Sequence, residues 1–348
     1  MGLEETLDHY GALVEERLRE FLAEALSAAE AYHPFIRRVY SDMEEFVLRK
    51  GKRLASCSTL LAYKGYAGEV DDRILRACVG IELYRHCILV HDDLVDRDGL
   101  RRGRKTLHEL FAQNHDRRLG EGSAVFAGDL MYALALQALL NSGFPPERLG
   151  RAVQLLAEGY RRVNESQVLD LLFEYEEPGV DEWYTMASRR AASLFETTVL
   201  AGAVLGGAPE GDIPVLREAA EHMGYSFDIQ DDIIDTFASR EQYGRPPGGD
   251  IAQGKKPLYL IHALRMADPD RLEALRNLVG KKKIRPRELE TLREVIRGSG
   301  ALEAAKEGSR RHAEAARKLI DRTAMSGEAK GFFASLITYI EESLDWYR

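Results

Sequence analysis

Apolar residues recur along this chain at the three-to-four-residue spacing of a buried helix face, and the period-two alternation that a half-buried strand requires is hard to find anywhere. Ile74, Cys78, Ile81 and Ile88 share one such face, and Leu134 and Ala138 lie in another, within the run Leu130 to Leu140. Prolines fall mostly where helices should start or stop, at Pro34, Pro145-Pro146, Pro178, Pro209, Pro214, Pro246-Pro247, Pro257, Pro269 and Pro286, because proline lacks the amide that a helix interior uses. Gly206-Gly207 and Gly248-Gly249 read as loops between helices, and no low-complexity linker or compositional shift marks a boundary. The pattern predicts an all-α chain, a large helical bundle in which residues 1–348 form a single domain.

With 45% apolar and 30% charged residues the chain has material for a core and is too apolar to remain disordered. Its net charge of −9 argues against nucleic acid or anionic membrane as a partner, so an anionic ligand must be met by a local basic cluster or by metal. Cys57, Cys78 and Cys87 are an odd number without C-x-x-C spacing, and the acidic stretch Met1 to Tyr10 has no apolar run behind it, which points to a cytoplasmic location. No apolar stretch reaches the roughly 20 residues of a membrane span. The nearest, Val199 to Ala208, is short and broken by glycine, so no transmembrane segment is expected.

Against this background two acidic motifs stand out, Asp92-Asp93-Leu94-Val95-Asp96 and Asp231-Asp232-Ile233-Ile234-Asp235, each closing an apolar helical run. On a helix the first and last aspartate of such a motif project from one face, with the second about 100° round. Like charges at that spacing destabilise a bare helix, and a cation offsets the repulsion. Mg²⁺ suits the position because it takes oxygen ligands and binds one or two carboxylates together with substrate phosphate oxygens. Neither motif has the alternating loop of an EF-hand. The echo between them suggests two facing helices of a bundle, able to hold one diphosphate between several metal ions. Beyond the first motif lies a basic loop, Arg97 to Thr106, where arginines can grip phosphate oxygens bidentately, and Gly51-Lys52-Arg53 is a second basic cluster.

Taken in order these marks resemble the trans-type polyprenyl diphosphate synthases, the family that makes farnesyl, geranylgeranyl and longer diphosphates. The resemblance runs from about Gly51 to Lys255 and includes Arg101-Arg102-Gly103, Gly128-Asp129, Gln167 with Asp170, Gly244-Arg245-Pro246, Asp250-Ile251 and Gly254-Lys255-Lys256. It implies a helical bundle of the isoprenoid synthase type with a central cavity, commonly a homodimer. It also implies that an allylic diphosphate is held through several Mg²⁺ ions by the aspartates Asp92, Asp93, Asp96, Asp231, Asp232 and Asp235. Arg101, Arg190, Asp228, Arg245 and Lys255 are the implied allylic diphosphate residues, and Lys52, Arg53, Arg85 and Arg102 those for isopentenyl diphosphate. The implied reaction ionises the allylic diphosphate and lets the isopentenyl double bond attack the cation. It needs no Ser-His-Asp or Cys-His constellation, so His86, His91 and His108 read as structural.

Several positions depart from the family pattern. The usual arginine three residues after Lys52 is Ala55, and the usual histidine seven residues before the first motif is Arg85, which suggests that Arg85 serves the phosphate Ala55 cannot. Arg190-Ala191 stands for the usual Lys-Thr, and Asp228 for a glutamine. Asp228 is expected either to add to metal binding or to raise its neighbour's pKa. Family tunnel positions fall on Ile88, Cys87, Tyr84 and Ile81. A tail that passes the small Cys87 meets the Tyr84 phenol one turn deeper, so the expected product has about twenty to twenty-five carbons. The alternatives are a terpene cyclase, whose second motif usually carries Asn, Ser and Glu, and a non-catalytic subunit of a heteromeric synthase.

Overall fold

Asp71 starts the helix on which the first acidic motif ends: its carboxylate accepts the Ile74 amide at 3.1 Å, capping α4 (Asp72–Val95). The same device starts α6 (Arg117–Leu140), where Asp116 accepts the Leu119 amide at 2.9 Å. Proline begins α2 (Pro34–Val47) and α7 (Pro146–Phe173), as the sequence predicts, since the missing amide is one that a first turn leaves unused. Apart from one two-residue hairpin, β1 (Leu100–Arg101) with β2 (Arg104–Lys105), the regular structure among the described residues is helical.

The computed structural model describes residues 2–239 and 246–342. They form two compact units. The first comprises residues 2–156, 198–213 and 324–332, and the second residues 157–197, 214–239, 246–323 and 333–342. In the first, α1 (Leu3–Tyr32) lies against α2, and α3 (Leu54–Ala67) and α6 pack on α4. α4 is buried on nearly every side, with Ile74, Ile81, Tyr84 and Cys87 each at most 1% exposed, so it is the central helix of this unit. Burying one such large apolar side chain contributes about 1.5–3 kcal/mol.

α6 is, by length and composition, apolar enough to cross a membrane, which the sequence reading did not single out. Its most apolar window is 44% buried, and Ala124, Ala127, Met131, Leu134 and Ala138 supply the face that packs inward, so it serves here as a core helix. The short α5 (Leu107–Ala112) lies against it.

In the second unit α8 (Val180–Ala187) delivers Trp183, fully buried, into a core with Met186, Ile229, Ile233 and Tyr259. α9 (Ala191–Gly206) and α10 (Asp212–Phe237) supply the helical runs before and within the second motif. They are followed by α11 (Gly249–Gln253), α12 (Leu258–Met266), α13 (Pro269–Leu278), α14 (Pro286–Gly298), α15 (Ala301–Asp321) and α16 (Gly327–Glu341). Proline opens α13 and α14, stands at the N-cap of α12 and lies in the first turn of α10, again where the sequence places it.

Candidate active site

Both acidic motifs sit at the C-terminal ends of their helices, where the helix dipole is negative and carboxylates are least welcome. Asp92 and Asp93 close α4 and Asp96 is its C-cap; Asp231, Asp232 and Asp235 lie in the last two turns of α10. Repulsion within each motif adds to the dipole. Neither arrangement helps the fold, so each needs a cation to offset it.

At the first motif that cation is partly Arg101. Its Nε donates to Asp93 Oδ1 at 2.5 Å and its Nη2 to Asp92 Oδ2 at 3.3 Å. Asp93 points inward, 1% exposed, and its Oδ2 has no hydrogen-bond partner. Burial pushes the Asp93 carboxyl up to about 7 despite Arg101, which pulls it down. Asp92 and Asp96 remain partly exposed on the face that the four-residue spacing predicts.

Arg101 and Arg102 belong to the hairpin, whose register pairs Leu100 with Lys105 and Arg101 with Arg104. That leaves Arg102 and Gly103 as a two-residue loop with φ of +53° and +73°, the double positive φ of a type I′ turn. The Arg102 guanidinium lies over Gly51, where a Cβ would stand 2.7 Å from its central carbon, and donates to the Arg49 carbonyl at 2.9 Å. A side chain at position 51 would displace it. Burial, Arg53, Arg85 and Arg101 together push the Arg102 guanidinium down to about 10, against the pull of Glu82, so these cations repel one another in a way an anion would relieve. A cleft of about 530 Å³ opens beside the hairpin, lined by Arg19, Lys50, Arg102 and Arg104 with Glu44 and Glu45 among its other walls.

The remaining basic residues of this unit divide. Lys52 is exposed and 3.5 Å from Glu4. Arg85 is half-buried and shares the electrostatic neighbourhood of Arg102. Arg53, at φ +50°, turns into the core instead: it donates to the Val47 carbonyl at 2.8 Å and to Glu82 at 3.1 Å, and is 5% exposed. Burial raises the Glu82 carboxyl, but Arg53 and the Ser56 amide outweigh it and leave it below the usual carboxylate range. His86, buried beside them, is pushed down to about 3 and stays neutral. His91 Nε2 meets the Val125 carbonyl at 3.1 Å, and a Cβ on Gly128 would stand 2.2 Å from that nitrogen, which accounts physically for the glycine of Gly128-Asp129.

Tyr84, Cys87 and Ile81 are fully buried on α4 and Ile88 nearly so. The Tyr84 ring meets Tyr132 of α6, with centroids 6.5 Å apart. The sequence reading missed Tyr132. The signal for it was its place four residues, about one helical turn, after Gly128.

In the second unit Arg190, at the foot of α9, gathers three carboxylates: Asp228 Oδ1 at 3.1 Å, Asp232 Oδ1 at 3.5 Å and Asp170 Oδ1 at 3.6 Å. Lys255 lies 3.7 Å from Asp170 and 3.8 Å from Asp250, whose amide donates to Asp235 Oδ2 at 3.2 Å. Asp228 therefore acts first as the partner of Arg190. Burial raises its carboxyl to about 6, with Arg190 pulling the other way, and raises that of Asp232 further, with Asp250 and Asp228 adding to the effect. Asp228 Oδ2 and Asp232 Oδ2 are buried without hydrogen-bond partners. Lys256 is committed to the Phe173 and Gly254 carbonyls. Arg245 and Gly244 lie outside the described residues.

These carboxylates fit a hard, oxygen-seeking cation. Their orphaned oxygens are buried, they outnumber the described cations beside them, and they stand at helix ends that favour positive charge. Among the described residues no three His, Cys, Asp or Glu side chains converge on one point.

The chain matches the sequence profile described as polyprenyl synthetase over residues 37–296. The geranylgeranyl pyrophosphate synthase of Geoglobus acetivorans is 30% identical over 341 residues, covering 98% of this chain and 99% of that protein. The geranylfarnesyl diphosphate synthase of Aeropyrum pernix is 31% identical over 298 residues, covering 84% of this chain and 90% of its own length. Among solved structures, the geranylgeranyl pyrophosphate synthase of Corynebacterium glutamicum, complexed with isoprenyl diphosphate and magnesium, matches with a TM-score of 0.90. That match covers 98% of this chain and 99% of that one at 24% identity, a likeness of fold.

Proposed function

Because the chain belongs to the polyprenyl synthetase family, we propose that it is a chain-elongating trans-prenyltransferase. It condenses isopentenyl diphosphate with an allylic diphosphate to give a product of about C20 to C25, in keeping with its geranylgeranyl and geranylfarnesyl synthase relatives. The observation that carries the chemistry is the set of buried, unpartnered carboxylate oxygens at the ends of α4 and α10, with an arginine hairpin beside the first of them.

In this reading Asp92, Asp93, Asp96, Asp231, Asp232 and Asp235 would hold Mg²⁺, which would supply positive charge to offset that of the leaving diphosphate. Arg101, fixed by Asp93, and Arg190 and Lys255, fixed among Asp170, Asp228 and Asp250, bind the allylic diphosphate, with Asp228 orienting Arg190. Arg102, Lys52 and Arg85 bind isopentenyl diphosphate, while Arg53 shapes that site from within the core. The allylic carbon–oxygen bond breaks with its electron pair leaving on diphosphate, and these fixed cations stabilise that charge without reorganising. The isopentenyl double bond attacks the carbon, and the released diphosphate takes the proton. His86, pushed down to about 3 and buried, is unsuited to that task. Residues 1–348 act together as one functional domain in the cytoplasm, and the protein is a homodimer, the last of which light scattering on the purified protein tests.

Purified protein incubated with Mg²⁺, labelled isopentenyl diphosphate and allylic primers of several lengths should yield elongated diphosphates. Release of a hydrocarbon would identify a cyclase, and inactivity with every primer would identify a non-catalytic subunit.

A further inference from the structure

We infer that Glu45 and Arg49 form a clamp that positions the diphosphate-binding arginines of the hairpin, a role resting on the reading that Arg101 and Arg102 bind diphosphates. Arg49 lies just past the end of α2 and is 5% exposed, with its guanidinium over the Phe46 ring at 4.9 Å. Its Nη1 donates to the Arg101 carbonyl at 3.2 Å and its Nη2 to the Lys105 carbonyl at 2.7 Å, so one planar group spans both strands. Arg102 returns a hydrogen bond to the Arg49 carbonyl at 2.9 Å. Glu45, one turn earlier, receives the Arg49 Nε at 3.1 Å and Nη2 at 2.6 Å, and also pairs with Arg104 at the far end of the turn.

The clamp has something to hold. A hairpin with strands of two residues is marginal by itself, and this one carries a non-glycine residue at positive φ in its loop. Leu100, Gly103, Arg104 and Lys105 are exposed, so the hairpin adds little to the core. A buried arginine hydrogen-bonded across it therefore fixes geometry more than stability. What it fixes is the direction of Arg101 toward Asp93 and of Arg102 across Gly51. Only a planar, multi-donor head reaches both strands and Glu45 together, which a lysine cannot reproduce.

The test compares Arg49→Met, Arg49→Lys, Arg49→Ala, Glu45→Gln and Arg102→Met in the full chain, with steady-state kinetics for both substrates and hydrogen exchange of residues 99–106. Arg49→Met should raise KM for both diphosphates about tenfold while kcat changes less than about threefold, the size usual for losing an orienting partner. Arg49→Lys should recover little of this, added methylguanidinium should restore part of it in Arg49→Ala, and exchange in the hairpin should rise. Glu45→Gln, which leaves the guanidinium in place, should show the same pattern more weakly and serves if Arg49→Met does not fold. Unchanged KM values in Arg49→Met or Glu45→Gln, with Arg102→Met still raising KM, would overturn the clamp alone. An unchanged KM in Arg102→Met would instead remove the diphosphate reading of the hairpin.

Discussion

Replacing Arg190 by methionine removes the one described cation within reach of Asp170, Asp228 and Asp232 together, and keeps most of the side-chain volume. At separations of 3.1–3.6 Å each pair is worth about 5 kcal/mol of bare attraction at an effective dielectric of 20. Desolvation cancels much of that, and breaking a buried pair by deleting one partner typically costs about 3–5 kcal/mol because the other charge is left behind. For 348 residues the entropy of unfolding makes 1 kcal/mol worth roughly 1.4 °C of melting temperature. Arg190→Met should therefore melt about 4–7 °C below the parent in EDTA. Millimolar Mg²⁺ should raise the variant's melting temperature more than the parent's, since three carboxylates are then left for the metal. Combining it with Asp228→Asn should destabilise by about 1–3 kcal/mol less than the sum of the single losses, because the two residues share one interaction. A variant that melts within a degree of the parent, or losses that simply add, would show that Arg190 is not the counter-charge of this cluster.

Gly224→Ala places a methyl 2.2 Å from the Ala192 Cα, backbone that cannot move aside, and should destabilise by about 1–3 kcal/mol in denaturant titration while shifting the Arg190–Asp228 contact. Tyr84→Ala should lengthen the products seen by chromatography, and Tyr132→Ala should do the same if the two rings close one tunnel together; unchanged products from both would dismiss the floor. His222 and His312 meet Nδ1 to Nδ1 at 2.8 Å, faced by Glu221, Glu218, Tyr184 and Arg311, and burial first, then His222 and Arg311, push His312 from 6.5 down to about 4. Since the unfolded chain binds protons that the folded pair refuses, stability should be full above about pH 6.5 and fall as pH drops toward 4. His312→Gln should flatten that part of the melting profile, and an unaltered profile would count against the pair as its source.

The helical class and the placement of both acidic motifs at helix ends were legible in the sequence because each depends on short-range spacing. Period and proline placement set the helices, and a four-residue interval puts Asp92 and Asp96 on one face whatever they pack against. The basic loop was legible as charge, but not as a hairpin, because its turn carries Arg102 where glycine or asparagine usually signals positive φ. Tertiary structure alone decided which cations are drawn into the core and which stay at the surface. Arg53 and Lys52 are neighbours in sequence, yet Glu82, on a different helix, draws Arg53 into the core and leaves Lys52 outside. Arg49, in no motif, holds the hairpin through carbonyls more than fifty residues away, and Asp228 meets Arg190 across two helices. Spacing along a helix is a property of local geometry, whereas the partner of a buried charge depends on which distant segment packs against it, and that is where this chain's own variation on its family was settled.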